Sequence, residues 1–451
     1  MDGPLWGNWD YKAGVSSAFS KSESTAGTGY HYQTELMNLI KDGILNPFLK
    51  PGEQQTDAAM KALQAISAEG VKLYGGEYNT RQVDFSASGP VFKLPAGEVM
   101  AAIGADVRQE DFTFAGDTRT DRRPVYNLAF DNANTLNNKV KRTIKAFYGE
   151  VLVPITKELE LTGAVRRDDY TGFGATTNPK VSLRFAPIKQ LALRGSYSTG
   201  FRVPTFNQMF NGITESPYSG KDLVDPNKCA GGKVDATVPG CESVTFNYFT
   251  GGKLDLGPEE SKQYSAGIIF SPTDNLVATL DWWSIQREGT IQSLALSTLF
   301  ANYKLFPDRF LYNNGVLTFV DDRWINAGET STKGLEFGLR HNANVGGGKL
   351  STGLDISYLL EKKSRLLASQ PFGASEIGRF TRSGDLGIRW KHSAFVTYAQ
   401  GDWSGTLTQQ YRGGYLDYVL PGVASGAVKP PEWNARVNSY LLHHASVTYK
   451  G

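Results

Sequence analysis

The feature that most constrains the fold is an alternation of apolar and polar side chains, with a period of two, along several separate segments. In residues 159–166 one register carries Leu159, Leu161 and Val165. The other register carries Glu160, Thr162 and Arg166. The same alternation recurs at 181–185, 191–198, 350–360 and 403–412. Because successive side chains of a strand point to opposite faces, each segment predicts a strand with one apolar and one polar face.

The connections between these segments alternate between two lengths. Tight turns are predicted near 94–97, 154–157, 187–189, 272–275, 344–348 and 401–402. Longer loops are predicted at 21–79, 115–138, 171–178, 202–260, 290–326, 362–385 and 415–438. These thirteen connections predict fourteen strands in an up-and-down antiparallel sheet. Several long loops are uncommon in a compact soluble domain, whereas outer-membrane barrels combine short periplasmic turns with long external loops.

We therefore predict an all-β protein with the architecture of an antiparallel, up-and-down transmembrane β-barrel. A soluble β-sandwich is the alternative, since its strands also alternate. No stretch approaches ~18 consecutive apolar residues, which excludes a helical membrane protein. The net charge of +2 offers no electrostatic case for nucleic-acid binding. One helix is predicted within the first long loop, over residues 56–66, with Thr56 as a candidate N-cap.

The two cysteines, Cys229 and Cys241, lie in one turn-rich stretch of the long loop 202–260. This arrangement fits a disulfide in an oxidising compartment better than a metal site. Two unpaired thiols remain the alternative.

Five segments carry motifs in a recognisable order. They are Gly104–Glu110, Tyr148–Pro154, Tyr197–Gln208 with Y-x-x-G-F-R-x-P, Pro258–Gly267 with P-E-x-S, and Asn326–Glu336 with N-x-G-x-x-x-x-x-G-x-E. Together they resemble the barrel portion of TonB-dependent outer-membrane receptors. Asp106 departs from the family pattern, which commonly has Glu there.

The resemblance implies a barrel of 22 strands that encloses a plug domain, of which this chain supplies about fourteen strands. Nothing before Trp9 resembles the plug, and the sequence ends before the last strands of the family. We therefore expect residues 1–451 to form a partial barrel domain without a plug. The energy-transducing protein TonB would then reach this chain only through the missing plug.

Charged residues recur in the polar registers of the predicted strands, and we expect these side chains to face the lumen. A charge on the lipid face near the middle of the bilayer would cost ~2–4 kcal/mol for Arg or Lys. Plug docking or contact with a passing solute is one interpretation, and a hydrated lining of ion pairs is the other. The predicted lumen-facing residues are Asp106, Arg108, Glu110, Glu160, Arg166, Asp281, Glu336 and Arg340.

The loop 202–260 is the predicted site of ligand contact, because it is long and carries several aromatic residues beside the two cysteines. Aromatic side chains on a pinned loop can stack against a solute at low entropic cost. Packing within the loop is the alternative role. The aromatic candidates are Tyr218, Phe246, Tyr248 and Phe249.

No catalytic motif, cofactor fingerprint or zinc-ligand spacing occurs in the sequence, so we predict a protein that is not an enzyme. The resemblance implies part of an active-transport receptor in the outer membrane of a Gram-negative bacterium, in contact with outer-membrane lipid. Such a receptor binds a scarce small-molecule solute, for example a siderophore, cobalamin or carbohydrate, and imports it with energy delivered through TonB. The alternatives are a passive channel that closes as a smaller barrel and a soluble β-rich binding domain.

Overall fold

The structure is a computed structural model that describes residues 1–115, 123–126, 137–229, 234–380, 386–417 and 436–451. The strands, in chain order, are β1 (Asp2–Trp6), β2 (Trp9–Thr25), β3 (Lys72–Leu94), β4 (Gly97–Ala115), β5 (Asn137–Pro154), β6 (Leu159–Tyr170), β7 (Gly174–Ile188), β8 (Leu191–Arg202), β9 (Thr214–Pro217), β10 (Asn247–Thr250), β11 (Glu259–Thr273), β12 (Leu276–Glu288), β13 (Ile291–Gln292), β14 (Phe310–Asn313), β15 (Val316–Asp321), β16 (Ile325–Asn326), β17 (Glu329–Val345), β18 (Gly348–Arg365), β19 (Arg379–Phe380), β20 (Trp390–Gln400), β21 (Trp403–Arg412), β22 (Tyr415–Asp417), β23 (Arg436–Val437) and β24 (Tyr440–Tyr449).

Fifteen of these strands form one sheet, which we call the wall. Its order is β1-β2-β3-β4-β5-β6-β7-β8-β11-β12-β17-β18-β20-β21-β24, so every wall strand lies beside its neighbours in the chain. All of these pairings are antiparallel. The predicted up-and-down antiparallel order is confirmed. Within the described chain, β1 and β24 are the two edges of the wall.

The structure differs from the predicted connections in two places. A further strand, β1, precedes the fourteen predicted ones and turns into β2 at residues 7–8. The connection predicted as a longer loop at 171–178 is only residues 171–173, because β6 and β7 continue to pair as far as Tyr170 and Gly174. The predicted loops 115–138 and 415–438 lie largely outside the described residues.

The helices of the described chain lie outside the wall. They are Gln33–Lys41, Asp57–Ala65, Phe206–Phe210 and Leu296–Ala301, followed by 3-10 turns at Tyr303–Leu305 and Pro307–Arg309. The predicted helix is confirmed at Asp57–Ala65, and the Thr56 side chain accepts a hydrogen bond from the Ala59 backbone N–H. Among these helices, none is both long and apolar enough to cross a membrane.

The wall has two chemically different faces. One face, the apolar face, leaves large side chains open to the surroundings: Val15 is 84% exposed, Phe147 61% and Val447 73%. The other face, the polar face, carries ion pairs between strands, such as Arg194 with Asp281. Water would not favour so much exposed apolar surface, whereas lipid would.

Aromatic side chains on the polar face lie over glycines of neighbouring strands. A Cβ atom added to Gly104 would lie 2.3 Å from the Tyr148 ring, and one added to Gly334 would lie 2.5 Å from the Trp283 ring. Gly334 belongs to the N-x-G-x-x-x-x-x-G-x-E motif, so its place in that motif has a steric explanation. These glycines let the rings lie close to the backbone of the wall.

Two long loops fold together into a separate body, which we call the loop unit: the described residues of 203–258 and 289–328. Its sheet has the order β14-β15-β10-β9, and β10 of the first loop pairs in parallel with β15 of the second. Its core consists of Leu223, Phe246, Leu299, Phe300, Phe310, Leu317 and Val320. The largest buried apolar cluster therefore lies in the loops rather than in the wall.

The glycine–aromatic packing makes a prediction about stability. Gly104→Ala should lower the free energy of unfolding by about 1–3 kcal/mol, because the new methyl group overlaps the Tyr148 ring. The measurement is the midpoint of urea-induced unfolding in detergent, followed by circular dichroism. Gly163→Ala is the matched control in a nearby wall strand, since its Cβ would meet nothing within 4 Å. Equal midpoints for the two variants would contradict the steric argument.

Candidate functional site

The loop unit stands at the end of the wall where β8, β12 and β17 meet their long connections. The four predicted ligand-contact residues all belong to it, but they do not form one surface. Phe246 is only 3% exposed and lies in the core of the unit, where its ring stacks on Tyr218 at 4.8 Å between centroids. Tyr248 packs against the same core. In this position Phe246 packs within the loop unit, as the self-packing role considered for this loop expects, and ligand contact by the four residues stays a prediction.

Phe249 lies on the opposite side of strand β10, away from that core. Its ring stacks on Phe319 of β15, with 5.0 Å between centroids and an angle of 7° between the planes. Leu311 pairs with Phe319 in the ladder and is exposed. On the same side, the Asn247 amide donates to Glu215. This side of the small sheet, which we call the aromatic platform, combines a rigid apolar pair with polar groups at its edge.

A disulfide joins Cys229 to Cys241 in the first loop. Next to it, the buried carboxylate of Asp225 accepts hydrogen bonds from the Asn227 backbone and from the Tyr312 hydroxyl. Tyr312 belongs to the second loop, so this contact ties the two loops together. Burial and the hydrogen bond to Asp225 raise the pKa of the Tyr312 hydroxyl. The neutral phenol therefore persists across the physiological range of pH.

An ion pair joins the two ends of the first loop at the wall. We call the points where the loops of the unit leave the wall its roots. Arg202, the last residue of β8, makes two hydrogen bonds of 2.9 and 2.7 Å to Glu259, the first residue of β11. The Glu259 carboxylate is 3% exposed and also accepts from the Ile291 backbone N–H at 2.7 Å. Both charged residues belong to motifs that the sequence displays, F-R and P-E, but their pairing cannot be read from the motifs.

Asn326 fixes a second set of roots. Its amide nitrogen donates to the carbonyls of Gly257 and Gly289, at 2.8 and 2.9 Å. Its oxygen accepts from the Gly257 N–H at 2.7 Å. Two residues later Gly328 has φ +90°, and a Cβ there would lie 2.6 Å from the Arg365 carbonyl oxygen. The N-x-G motif thus positions the end of the second loop against its own beginning at Gly289 and against the end of the first loop at Gly257.

The predicted lumen-facing residues all occur on the polar face of the wall, in separate groups of two or three charged or polar side chains rather than in one cluster. Arg166 bonds to Asp106 at 2.8 Å and to Asp168 at 2.9 Å. The remaining contacts are Arg108 with Glu110, Arg184 with Glu160, Arg194 with Asp281, Ser357 with Glu336, and Arg340 with Asp355. Contact with the plug or a passing solute and a hydrated lining of ion pairs both stay predictions for these residues.

One carboxyl group of the loop unit has no hydrogen-bond partner for a buried oxygen: Asp322, through Oδ1. Burial raises the pKa of Asp322 to about 7, with the negative charge of Asp321 adding to this effect and Arg309 opposing it. Arg309 itself donates to the carbonyls of Asp321, Arg323 and Trp324. Asp322 therefore changes its charge near neutral pH.

Within the described part of the chain, no three His, Cys, Asp or Glu side chains meet in a way that could hold a metal ion. The candidate site is instead the loop unit with its aromatic platform. Charged and polar contacts at its roots attach this unit to one end of the antiparallel wall. A two-faced antiparallel wall with long loops at one end is typical of the class of outer-membrane β-barrel proteins.

The comparison with known families identifies the chain more closely. Residues 4–450 match the family model described as TonB dependent receptor-like, beta-barrel. The chain therefore belongs to the TonB-dependent receptor family, as its motifs suggested. Barrels of this family are receptors and transporters of the Gram-negative outer membrane rather than enzymes.

Solved structures with the same fold are receptors of this family. The siderophore receptor PirA from Acinetobacter baumannii has a TM-score of 0.59 at 16% identity, with 99% of this chain and 54% of that chain covered. A mutant of the ferric enterobactin receptor PfeA from Pseudomonas aeruginosa has a TM-score of 0.62 at 15% identity, with 99% and 52% covered. FpvA of P. aeruginosa bound to pyoverdine has a TM-score of 0.53 at 13% identity, with 99% and 49% covered. This chain thus spans about half the length of these structures.

The root ion pair makes a prediction about the order of the loops. Glu259→Ala should lower the free energy of local opening at Ile291 by about 2–3 kcal/mol, because it leaves a buried N–H unpaired and removes the partner of Arg202. Hydrogen exchange of the Ile291 amide measures this opening. Glu288→Ala is the control, since its pair with Lys262 is half exposed and should contribute less than about 1 kcal/mol. Equal protection in both variants would show that the roots do not depend on Glu259.

Asp322 makes a prediction about pH. Its folded pKa of about 7 lies above the ordinary value of 3.8, so the unfolded segment loses its proton at a lower pH than the folded one. The loop unit should therefore lose stability as the pH rises from about 4 to about 7, by about 1 kcal/mol once partial solvent screening is included. Asp322→Asn should remove most of this decrease.

Amide exchange in strand β15, corrected for the intrinsic effect of pH, measures the stability of the loop unit at pH 5 and pH 8. Asp308→Asn serves as the control, because Asp308 is an exposed aspartate in the same loop as Asp322. An Asp322→Asn variant with the pH dependence of the parent would refute the assignment.

Proposed function

We propose that residues 1–451 form the barrel part of an outer-membrane receptor that binds a scarce small-molecule solute at the loop unit and imports it. The energy for import would be delivered through TonB by way of a plug domain outside this chain. Membership of the family supports the receptor role. A ferric siderophore is the solute class that the structural neighbours favour, since they include a siderophore receptor and a ferric enterobactin receptor; cobalamin and carbohydrates are further candidates.

The observation that carries this proposal is the loop unit itself. Loops that only connected strands would need no buried core, yet the two loops of this unit share a core of seven buried apolar side chains, and the first loop also has a disulfide. Folding of this kind presents a surface in one conformation and so lowers the entropic cost of binding. The aromatic platform is the most suitable contact surface, because Phe249 and Phe319 are rigid, stacked and partly exposed.

The polar face fits a passage for such a solute. Several of its charges form ion pairs between strands, so we expect it to offer no single strong binding site. We propose that these pairs contact the plug domain or the solute during passage. A solute that binds only moderately to each group along the polar face can leave this path as readily as it enters it.

Binding tests the platform directly. The double variant Phe249→Ala/Phe319→Ala should bind the solute about tenfold more weakly, which corresponds to about 1.4 kcal/mol for a lost aromatic pair. The measurement is equilibrium binding of a panel of ferric chelates, cobalamin and oligosaccharides to cells that carry the receptor in the outer membrane. Val316→Ala is the control, because Val316 is an exposed apolar residue of β15 outside the platform. Unchanged binding of every solute by the double variant would refute the platform.

Uptake of the solute by the same cells distinguishes an active receptor from a passive channel. An active receptor should lose uptake, but not binding, when a proton uncoupler is added. A passive channel would take up solute equally well with and without the uncoupler.

A further inference from the structure

The segment that follows β8 folds back onto the polar face of strands that are distant from β8 in the sheet. Residues 203–210 lie against β3, β4 and β5, whereas the sheet neighbours of β8 are β7 and β11. The Phe206 ring stacks on Phe112 of β4, with 5.4 Å between centroids and 7° between the planes. It also contacts Tyr78 of β3 at 6.2 Å. This segment therefore crosses the polar face of the wall, toward the ends of β3, β4 and β5 that carry the long loops.

Arg142 of β5 is the fixed point of this contact. Its Nη2 donates to the Pro204 carbonyl oxygen at 2.8 Å, and its Cζ lies 4.5 Å from the centre of the Phe206 ring. The Arg142 side chain is buried, and Pro204 is fully buried beside it. Its ion pair with Glu110 is long, at 3.9 Å. The loop segment therefore supplies the nearest partners of a buried charge, which makes the contact strong and directional.

The same segment is joined firmly to the loop unit. The Gln208 carbonyl accepts from the Lys253 N–H at 2.9 Å, and the Asn211 carbonyl accepts from the Gly252 N–H at 2.9 Å. A Cβ on Gly251 would lie 2.2 Å from the Gly212 carbonyl oxygen, and one on Gly252 would lie 2.5 Å from that of Met209. The helix Phe206–Phe210 is thus packed between the wall and the end of the first loop.

We propose that residues 203–210 form a latch that holds the loop unit closed over the lumen, with Arg142 as the residue that positions it. While the latch is in place, Phe206 packs against Tyr78 and Phe112 of the wall, and the Oγ1 atom of Thr80 and the Glu110 side chain beside them are buried. When the latch is released, the loop unit moves away from β3–β5 and the lumen opens to the outside. The latch concerns access through the barrel and does not depend on which solute is bound.

The test is the reactivity of a cysteine placed beneath the latch in the full chain. Thr80→Cys puts a thiol on the polar face under the covered region, and Cys229 and Cys241 do not react because they form a disulfide. A polyethylene-glycol maleimide too large to pass the closed latch is added, and the labelling rate is measured. Arg142→Ala in this background should raise the rate about tenfold or more by populating the open state. Arg142→Lys should give an intermediate rate, because it keeps the charge but loses the planar guanidinium.

Two further variants keep the test decisive. Phe206→Ala removes the ring from the latch side only, leaves the wall sequence intact and should raise the rate as Arg142→Ala does. Arg184→Ala is the matched control, since it removes an arginine from the same face that contacts Glu160 rather than the loop; its rate should equal that of the parent. Circular dichroism verifies that each variant keeps the strand content of the parent. A parental labelling rate in folded Phe206→Ala, or an equal increase in Arg184→Ala, would overturn the latch.

Discussion

Hydrogen bonding between neighbouring strands is the constraint on which the rest of this structure depends. In lipid no water is present to satisfy backbone N–H and C=O groups, so each strand must pair along both of its edges. Pairing in a fixed register also decides which side chains face lipid. Asp281, for example, lies between Leu280 and Trp282 in β12, and a slip of one residue would place its charge in lipid and both apolar side chains on the polar face.

Where the strands end, side chains make the hydrogen bonds to the backbone that a neighbouring strand makes elsewhere in the wall. Asn326 bonds to the backbone of Gly257 and Gly289, and Glu259 bonds to the backbone of Ile291. These contacts satisfy groups that the end of regular pairing would leave exposed or unpaired. They also explain how long loops can be ordered. The entropic cost of closing a loop grows only slowly with its length, so a few strong contacts at the roots are sufficient to fix where each loop begins and ends.

The wall could be predicted from the sequence because its signal is local. The alternation of Leu159, Glu160 and Leu161 needs no knowledge of distant residues, and the short turns mark where each strand reverses. Strand β1 was missed because it has only five residues, two of them Gly3 and Pro4, and no alternation. The connection at 171–173 was overestimated because its Gly and Thr residues are typical of loops in general.

The site could be predicted only in part, for a physical reason. The positions of Tyr218, Phe246, Tyr248 and Phe249 in a long loop are visible in the sequence, but a loop has no period that tells a buried ring from an exposed one. Contacts such as Arg202 with Glu259, or Arg142 with Pro204, join residues that are far apart in the chain. Nothing local distinguishes these arginines from others on the polar face. Their importance follows from burial and from partners that only the folded chain provides.

The wall and the loop unit are stabilised in different surroundings, lipid for the wall and water for the loop unit. The wall has an exposed apolar face and needs lipid, whereas the loop unit buries its apolar residues around Phe246 and Leu299 as a water-soluble domain does. A body with its own core keeps its shape when its contacts to a neighbour break. The two bodies meet at the charged roots and at Arg142. The roots lie at the ends of strands, so the proposed movement of the loop unit relative to the wall would break the contact at Arg142 and leave the roots in place.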